Sequence, residues 1–174
     1  IQSDALDTSE DAVSIWEPFL LEGILESSDA FEEVSFVSIE GQETAKRSRF
    51  DQHPVLLHVE SLPGFQAARK GEVYIGEVYF TLRGPMVTMA APIFIDGTIA
   101  QVARAEVSLS SLLRSLSSVE IGSTGSLALI DKNGVLVSDH NSKTFPQGSN
   151  LSSWSRVSHV LAGRTLTGSG YPIA

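Results

Sequence analysis

The first part of the chain has the spacing of apolar residues that is typical of an amphipathic helix. Thr8 or Ser9 is a suitable N-cap, and acidic residues follow in the first turn, where the helix dipole favours them. Apolar residues then recur at helical spacing, at Val13, Trp16, Leu20, Ile24 and Phe31, with Phe19, Leu21 and Leu25 beside them. Pro18 predicts a kink or a restart. We expect Trp16 to pack in the core.

From residue 32 the pattern changes to the alternation of β-strands. VSFVSI and QETAKRSR predict two strands that are joined by a turn at Glu40-Gly41. A loop follows, with a short helix FQAARK that ends at Gly71. VYIGEVYFTL, MVTMAAPIFI and IAQVARAEVS are then separated by Arg83-Gly84-Pro85 and by Asp96-Gly97, a strong hairpin signal. The pattern predicts an α+β fold, in which a helix leads into a five-stranded antiparallel sheet.

A smaller, similar pattern begins near residue 120, after a short amphipathic helix at 108–119. GSLALIDKNGVLVSDH contains an apolar strand, an Asn133-Gly134 turn and a second strand, and a helical segment follows at 150–163. The last ten residues have the composition of a strand at its start. Because a sheet of two or three strands is incomplete, we expect two units, 1–119 and 120–174, the second of them truncated in this chain.

The order of these segments resembles that of the double Cache domains, the PAS-like sensor modules of bacterial membrane receptors. The likeness covers nearly all of residues 9–140. It rests on the leading helix followed by EVSFVSIEGQETAKRSR, GEVYIGEVYFTLRGPMVTMAAPIF, AEVSLSSLLRSL and IGSTGSLALIDKNGVLVSDH. The resemblance implies a long N-terminal helix, a membrane-distal PAS-like unit that holds a small molecule, and the start of a membrane-proximal PAS-like unit. Members that bind amino acids carry an Arg-x-Trp-Tyr stretch, whereas the matching FQAARKGEVYIGEVYF has Arg69 without a Trp-Tyr pair.

Composition narrows the range of functions. The net charge of −9 disfavours nucleic-acid binding. The absence of cysteine excludes thiol catalysis and Cys-ligated zinc, and the four histidines have no metal-ligand spacing. No nucleophile elbow, Walker loop or dinucleotide fingerprint occurs. We therefore expect a non-catalytic module without a metal or a cofactor.

The central hairpin provides most of the candidate ligand-binding residues. Alternation places Tyr79 on one face of its strand and Tyr74 on the other, while Thr88 and Ala90 share a face of the next strand. Tyr79 and Thr88 supply hydroxyl groups, and Ala90 and Gly76 leave room for a ligand. The alternative is that Tyr79 packs at the sheet edge with its hydroxyl in water, and that Thr88 is an ordinary sheet residue.

Charged residues near the end of the second strand complete the candidate set. Arg47 and Arg49 share a face, and a guanidinium there is suited to a carboxylate. Asp51 follows, and an aspartate there, or at Asp96, is suited to an amine. The expected ligand is therefore an organic acid, an amine or an amino acid.

The resemblance implies a periplasmic or extracellular ligand-sensing domain of a bacterial inner-membrane receptor. A sensor histidine kinase is the first expectation, and the full-length protein would be membrane-anchored, with a cytoplasmic kinase or cyclase as its output. The alternative is a structural or dimerisation module of a chemoreceptor or nucleotide cyclase, without a ligand of its own. The helix at 9–27 would then form the seam of a homodimer.

Overall fold

The computed structural model describes residues 8–117, 127–140 and 145–165. Its elements follow one another as α1 (Thr8–Ser27), β1 (Phe31–Ser38), β2 (Glu43–Ser48), α2 (Pro63–Ala68), β3 (Tyr74–Thr81), β4 (Gly84–Ile95), β5 (Thr98–Ser108), α3 (Ser110–Ser117), β6 (Leu127–Ile130), β7 (Leu136–His140) and α4 (Ser155–Leu161). The expected last strand and the IGSTG stretch that opens the smaller unit lie outside the described residues.

Strands β1 to β5 form one antiparallel sheet with the order β2-β1-β5-β4-β3. This sheet with its leading helix confirms the predicted α+β, PAS-like fold class. The turn between β4 and β5 has positive φ angles at Asp96 and Gly97, 50° and 79°, as a two-residue hairpin requires. Pro92 is tolerated inside β4 because β3 begins opposite Ala90, so the proline lies beyond the end of that neighbour.

Helix α1 covers one face of the sheet over β1 and β2. Leu21 and Leu25 of the helix are buried against Val34, Phe36 and Ala45. The buried face of the helix therefore differs from the predicted face, because Trp16 is 64% exposed and Leu20 is also exposed. The prediction that Trp16 packs in the core is wrong.

A buried carboxylate explains which face of α1 meets the sheet. Glu17 is buried and accepts hydrogen bonds from the Thr44 hydroxyl, at 2.9 Å, and from the Gln101 amide. These donors make burial of the carboxylate acceptable, so Glu17, Leu21 and Leu25 line the contact at helical spacing. Trp16 and Phe19 therefore remain on the outer side, where their rings lie 6.1 Å apart.

The other face of the sheet has its own apolar core beneath α2. This core contains Val37, Val59, Phe65, Ala68, Ala90 and Val102, with Tyr74 packed against it. Helix α2 covers only the part of this face that lies near Ala90 and Val102. Further along β4 and β5 the same face carries polar and charged side chains, which form the candidate site.

The chain divides into two compact units between Ser111 and Leu112. In the second unit, β6 and β7 form a two-stranded antiparallel sheet. The Asp131 carboxylate caps the intervening turn by accepting from the amides of Asn133 and Val135, both at 2.8 Å, and Gly134 has a φ of 80°. Helix α4 follows and ends before Gly163.

Candidate functional site

A β-bulge in β3 places both tyrosines of the central hairpin on the same face. Tyr74 pairs with Ala90 and Tyr79 pairs with Met86, and the register shifts between Ile75 and Val78. Residues directly opposite one another in an antiparallel pair point to the same side. The prediction that Tyr74 and Tyr79 face opposite sides is therefore wrong, because the bulge changes the parity of the alternation.

Tyr79 and Thr88 meet at one carboxylate. The Thr88 hydroxyl lies 2.9 Å and 3.1 Å from the two oxygens of Glu106, and the Tyr79 hydroxyl donates to Glu106 Oε2. Burial, and next the hydrogen bond to Glu106, raise the pKa of Tyr79 above its ordinary value. The phenol therefore stays a hydrogen-bond donor at neutral pH.

Arg104 joins Glu106 to a second group of charges. One amino group of its guanidinium donates to Glu106 Oε1, and the other lies 3.8 Å from Glu43 and 3.9 Å from Glu33. Lys46 closes the group from the opposite side, with its ammonium 2.6 Å from Glu43 and 3.3 Å from Glu33. Arg104, Glu43, Lys46 and Glu33 thus form a ring of alternating charge, which we call the charge ring.

A connecting segment closes over the charge ring. The carbonyl oxygen of Val55 accepts from the Lys46 ammonium at 3.1 Å, and the amide of Leu57 donates to Glu43 Oε2 at 2.8 Å. Every side chain of residues 51–58 is exposed except that of Pro54, which is partly buried. We call residues 51–58 the strap. Polar contacts with Gln42, Glu43 and Lys46 hold it, rather than buried apolar side chains.

Two buried polar atoms beside the charge ring have no hydrogen-bond partner. They are Ser35 Oγ and Glu43 Oε1, and both residues are 1% exposed. Ser35 lies directly opposite Lys46 on one side and opposite Arg104 on the other, so it sits at the floor of the ring. Each unpaired buried polar atom costs roughly 1–3 kcal/mol.

Four of the six predicted site residues lie in or beside this region. Tyr79 and Thr88 contact Glu106, while Ala90 lies on the same face, in the core beneath α2. Gly76 lies in the bulge, where an added Cβ would come within 3.2 Å of the Thr88 carbonyl oxygen and of the Tyr74 ring.

Arg49 and Asp51 have local roles elsewhere. The Arg49 guanidinium donates to the carbonyl oxygens of Phe31, at 2.6 Å, Ser28, at 2.8 Å, and Leu25, and so fastens the end of α1 to the start of β1. Asp51 accepts from the amide of His53 at 2.9 Å within the strap. The structure does not bring these two residues together with Tyr79 and Thr88.

Sequence reasoning missed the charged residues of the site. Arg104 and Glu106 stand two positions apart on one strand, and Glu43 and Lys46 lie on another strand. Charges on a strand are usually solvent-exposed, and their burial here depends on pairing across β1, β2 and β5. The sequence did offer a signal. Arg104 and Glu106 follow Val102 at two-residue spacing, so all three side chains point to the same side of β5, where Val102 is buried.

A cavity of about 130 Å³ lies on the opposite face of the sheet, beneath α1. Its lining is almost wholly apolar and includes Leu21, Ile24, Phe36, Met89, Ala103 and Ala105. An apolar cavity of this kind lacks the hydrogen-bonding groups that the candidate site provides. Within the described residues, no group of acidic or histidine side chains suits a metal ion.

Solved structures with the same fold include sensory domains. The ligand-binding domain of the Campylobacter jejuni chemoreceptor Tlp3, in complex with L-norvaline, is 17% identical, with a TM-score of 0.63 over 87% of this chain and 60% of that domain. A domain of a sensory box/GGDEF family protein from Vibrio parahaemolyticus is 12% identical, with a TM-score of 0.63 over 94% and 71%. The extracellular domain of the histidine kinase vpHK1S-Z8 is 12% identical, with the same TM-score over 90% and 66%.

These likenesses show that the chain shares the fold of the sensory domains that it matches, as the resemblance to Cache domains predicted. The chain spans about six tenths of the length of the chemoreceptor domains that it matches. No protein-family model and no curated protein matches the sequence. Among the described residues, no helix combines the length and the apolar character of a membrane span.

Proposed function

We propose that the first unit of this chain is the ligand-sensing domain of a bacterial signal-transduction receptor. It binds a small polar molecule at Tyr79, Thr88, Arg104 and Glu106, which we call the polar cluster. The ligand is an organic acid, an amine or an amino acid. The module itself is non-catalytic, and it lies in the periplasm or outside the cell as part of a membrane-anchored protein.

The observation that carries this proposal is the convergence of three side chains on one partly buried carboxylate. Glu106 is contacted by two hydroxyl groups and a guanidinium, which come from β3, β4 and β5. Binding sites typically combine apolar walls with a few such placed polar groups. Here the apolar core beneath α2 lies directly beside the polar cluster on the same face.

A thermal-shift screen against organic acids, amino acids and amines tests the proposal. A compound that binds only the folded protein raises the melting temperature in proportion to saturation. Thr88→Val removes one hydroxyl from the polar cluster and is expected to reduce or abolish the shift. Thr98→Val, at the exposed first residue of β5, is the matched control and should leave it intact. Equal shifts in both variants would place the ligand elsewhere.

The receptor class is a separate part of the proposal. We propose a sensor histidine kinase, because extracellular histidine-kinase domains are among the solved structures with this fold. Sequencing the flanking coding region tests this. A membrane span followed by a cytoplasmic kinase domain is expected, whereas a methyl-accepting signalling domain would instead identify a chemoreceptor.

A dimerisation module is the second candidate, and the outer side of α1 favours it. Trp16, Phe19 and Leu20 are all more than half exposed on this helix. Clusters of exposed large apolar side chains often mark protein interfaces. Sedimentation velocity over a range of protein concentrations tests this candidate: a concentration-dependent dimer that Phe19→Ser abolishes, together with a flat thermal-shift screen, would favour it over the ligand sensor.

A further inference from the structure

The unpaired atoms Ser35 Oγ and Glu43 Oε1 lie where no solvent reaches them. Glu43 Oε1 faces the Arg104 guanidinium at 3.8 Å, which is too long for a hydrogen bond. Ser35 Oγ lies on the floor of the charge ring, between the strands that carry Lys46 and Arg104. Native proteins rarely leave such atoms unpaired, so each points to a partner that the chain itself does not supply.

The charge balance indicates that this missing partner is neutral. Within the charge ring, the two carboxylates of Glu33 and Glu43 are matched by the two cations of Lys46 and Arg104. Glu106 stands outside the ring and already accepts from the polar cluster. An added cation would lie beside Lys46 and Arg104, and an added anion beside Glu33 and Glu43, so either ion would meet like charge at close range in a buried site, at a large cost.

A hydroxyl group has the hydrogen-bonding capacity that the two atoms need. The ionised Glu43 carboxylate only accepts, whereas the Ser35 hydroxyl both donates and accepts. A hydroxyl donates to the first and accepts from the second. A carbonyl or a second carboxylate lacks the proton for Glu43. An ammonium could donate to both atoms, but its charge would lie beside Lys46 and Arg104.

We propose that Ser35 and Glu43 form a second subsite, which binds a neutral hydroxyl group of the ligand. This inference rests on the proposed function and refines it, because Arg104 contacts both places: one amino group binds Glu106 and the other faces Glu43. A ligand held at the polar cluster reaches the subsite along this guanidinium. The ligand class is then a hydroxylated acid, amino acid or amine.

The strap provides the entry to the subsite. Val55 and Leu57 attach it to Lys46 and Glu43 through backbone groups, and their side chains are exposed. A segment with so few buried contacts opens at a lower free energy than the sheet beneath it. Closure over a ligand hydroxyl satisfies both orphan atoms, so occupancy favours the closed strap.

Probe pairs that differ by a single hydroxyl test the inference. They are malate and succinate, serine and alanine, and ethanolamine and ethylamine, which represent the three ligand classes. Binding to the wild-type chain is measured by titration calorimetry. For the pair that binds, the hydroxylated member is expected to have a Kd about tenfold to a hundredfold lower, as one hydrogen bond to a charged group provides.

Ser35→Ala is the decisive variant, and Ser61→Ala, at an exposed serine, is its control. Ser35→Ala is expected to abolish the preference for the hydroxylated probe, and Ser61→Ala to retain it. In the absence of any probe, Ser35→Ala should also raise the melting temperature, because it removes an unpaired buried hydroxyl.

The outcomes separate the two proposals. Equal binding of both members of a pair would overturn the hydroxyl subsite and leave the proposed function standing. A lower melting temperature for probe-free Ser35→Ala would overturn it too, since Ser35 would then already have a partner such as a bound water. No binding by any of the six probes would contradict the proposed function for all three ligand classes.

Discussion

The buried ion pair of Glu43 and Lys46 gives the sharpest stability prediction. Their side chains are 0% and 3% exposed, and their charged atoms lie 2.6 Å apart. Lys46→Met leaves the Glu43 carboxylate buried without its closest cation. Removing one partner of such a pair typically costs about 3–5 kcal/mol. Since small domains have total stabilities of roughly 5–15 kcal/mol, the variant should lose a large fraction of its stability.

The double variant Glu43→Gln with Lys46→Met separates charge burial from packing. It removes both charges together, so it should be more stable than Lys46→Met alone by about 2 kcal/mol or more. Urea unfolding followed by far-ultraviolet circular dichroism measures each free energy of unfolding. Hydrogen exchange at the Leu57 amide, which Glu43 holds at 2.8 Å, reports release of the strap.

An exposed ion pair supplies the control for this series. Arg47 and Glu22 lie 3.3 Å apart, but both side chains are 40% or more exposed. Glu22→Gln is therefore expected to cost less than about 1 kcal/mol. If Lys46→Met were no more destabilising than Glu22→Gln, the reasoning from burial would be refuted.

Three further predictions concern other parts of the first unit. Arg49→Lys should speed amide exchange in the last turn of α1, because one ammonium cannot replace a guanidinium that bonds three carbonyl oxygens; unchanged exchange would contradict this. The stabilisation from the Tyr79 hydroxyl is complete below about pH 10 and is lost as the pH rises further, because the pKa is higher in the folded state. Tyr79→Phe should thus flatten the alkaline decline in stability, measured by urea unfolding at stepped pH, and equal slopes would refute this. Gly41→Ala should lower the melting temperature, since φ is +89° and the added Cβ would lie 2.6 Å from the Cβ of Glu60. By contrast, the Cβ added by Gly23→Ala in α1 meets no atom within 4 Å, and this variant should stabilise the protein by about 1 kcal/mol. Equal effects of the two alanines would show that the glycine at 41 is not required.

Local signals predicted the sheet, because its turns are encoded by the residues that form them. Asp96-Gly97 adopts the positive φ angles that such a hairpin needs, and Gly71 ends the segment that contains α2 in the same conformation. The orientation of α1 was not predictable in this way. Apolar residues occur on several sides of the helix. Which side faces the sheet depends on Thr44 and Gln101, which are distant in sequence and donate hydrogen bonds to the Glu17 carboxylate.

The candidate site was predictable only in part for a similar reason. Tyr79 and Thr88 lie close to the β3–β4 turn, where side chains alternate regularly between the two faces, so simple alternation places both on the correct face. Tyr74 lies beyond the bulge, so the count fails there. The charge ring is harder still to predict, because Glu43 is stable in the interior only through Lys46 and Arg104, which belong to β2 and β5.

Because Arg49 fixes only the carboxyl end of α1, a rotation of the helix about that end would move its amino end furthest. A 20-residue helix is about 30 Å long. Arg49 grips the carbonyl oxygens at its carboxyl end, next to the first strand of the sheet. A tilt of about 5° around that grip would displace the opposite end by roughly 2.5 Å, as the helix length dictates. A small rotation near the start of β1 would thus produce its largest displacement at the beginning of the helix.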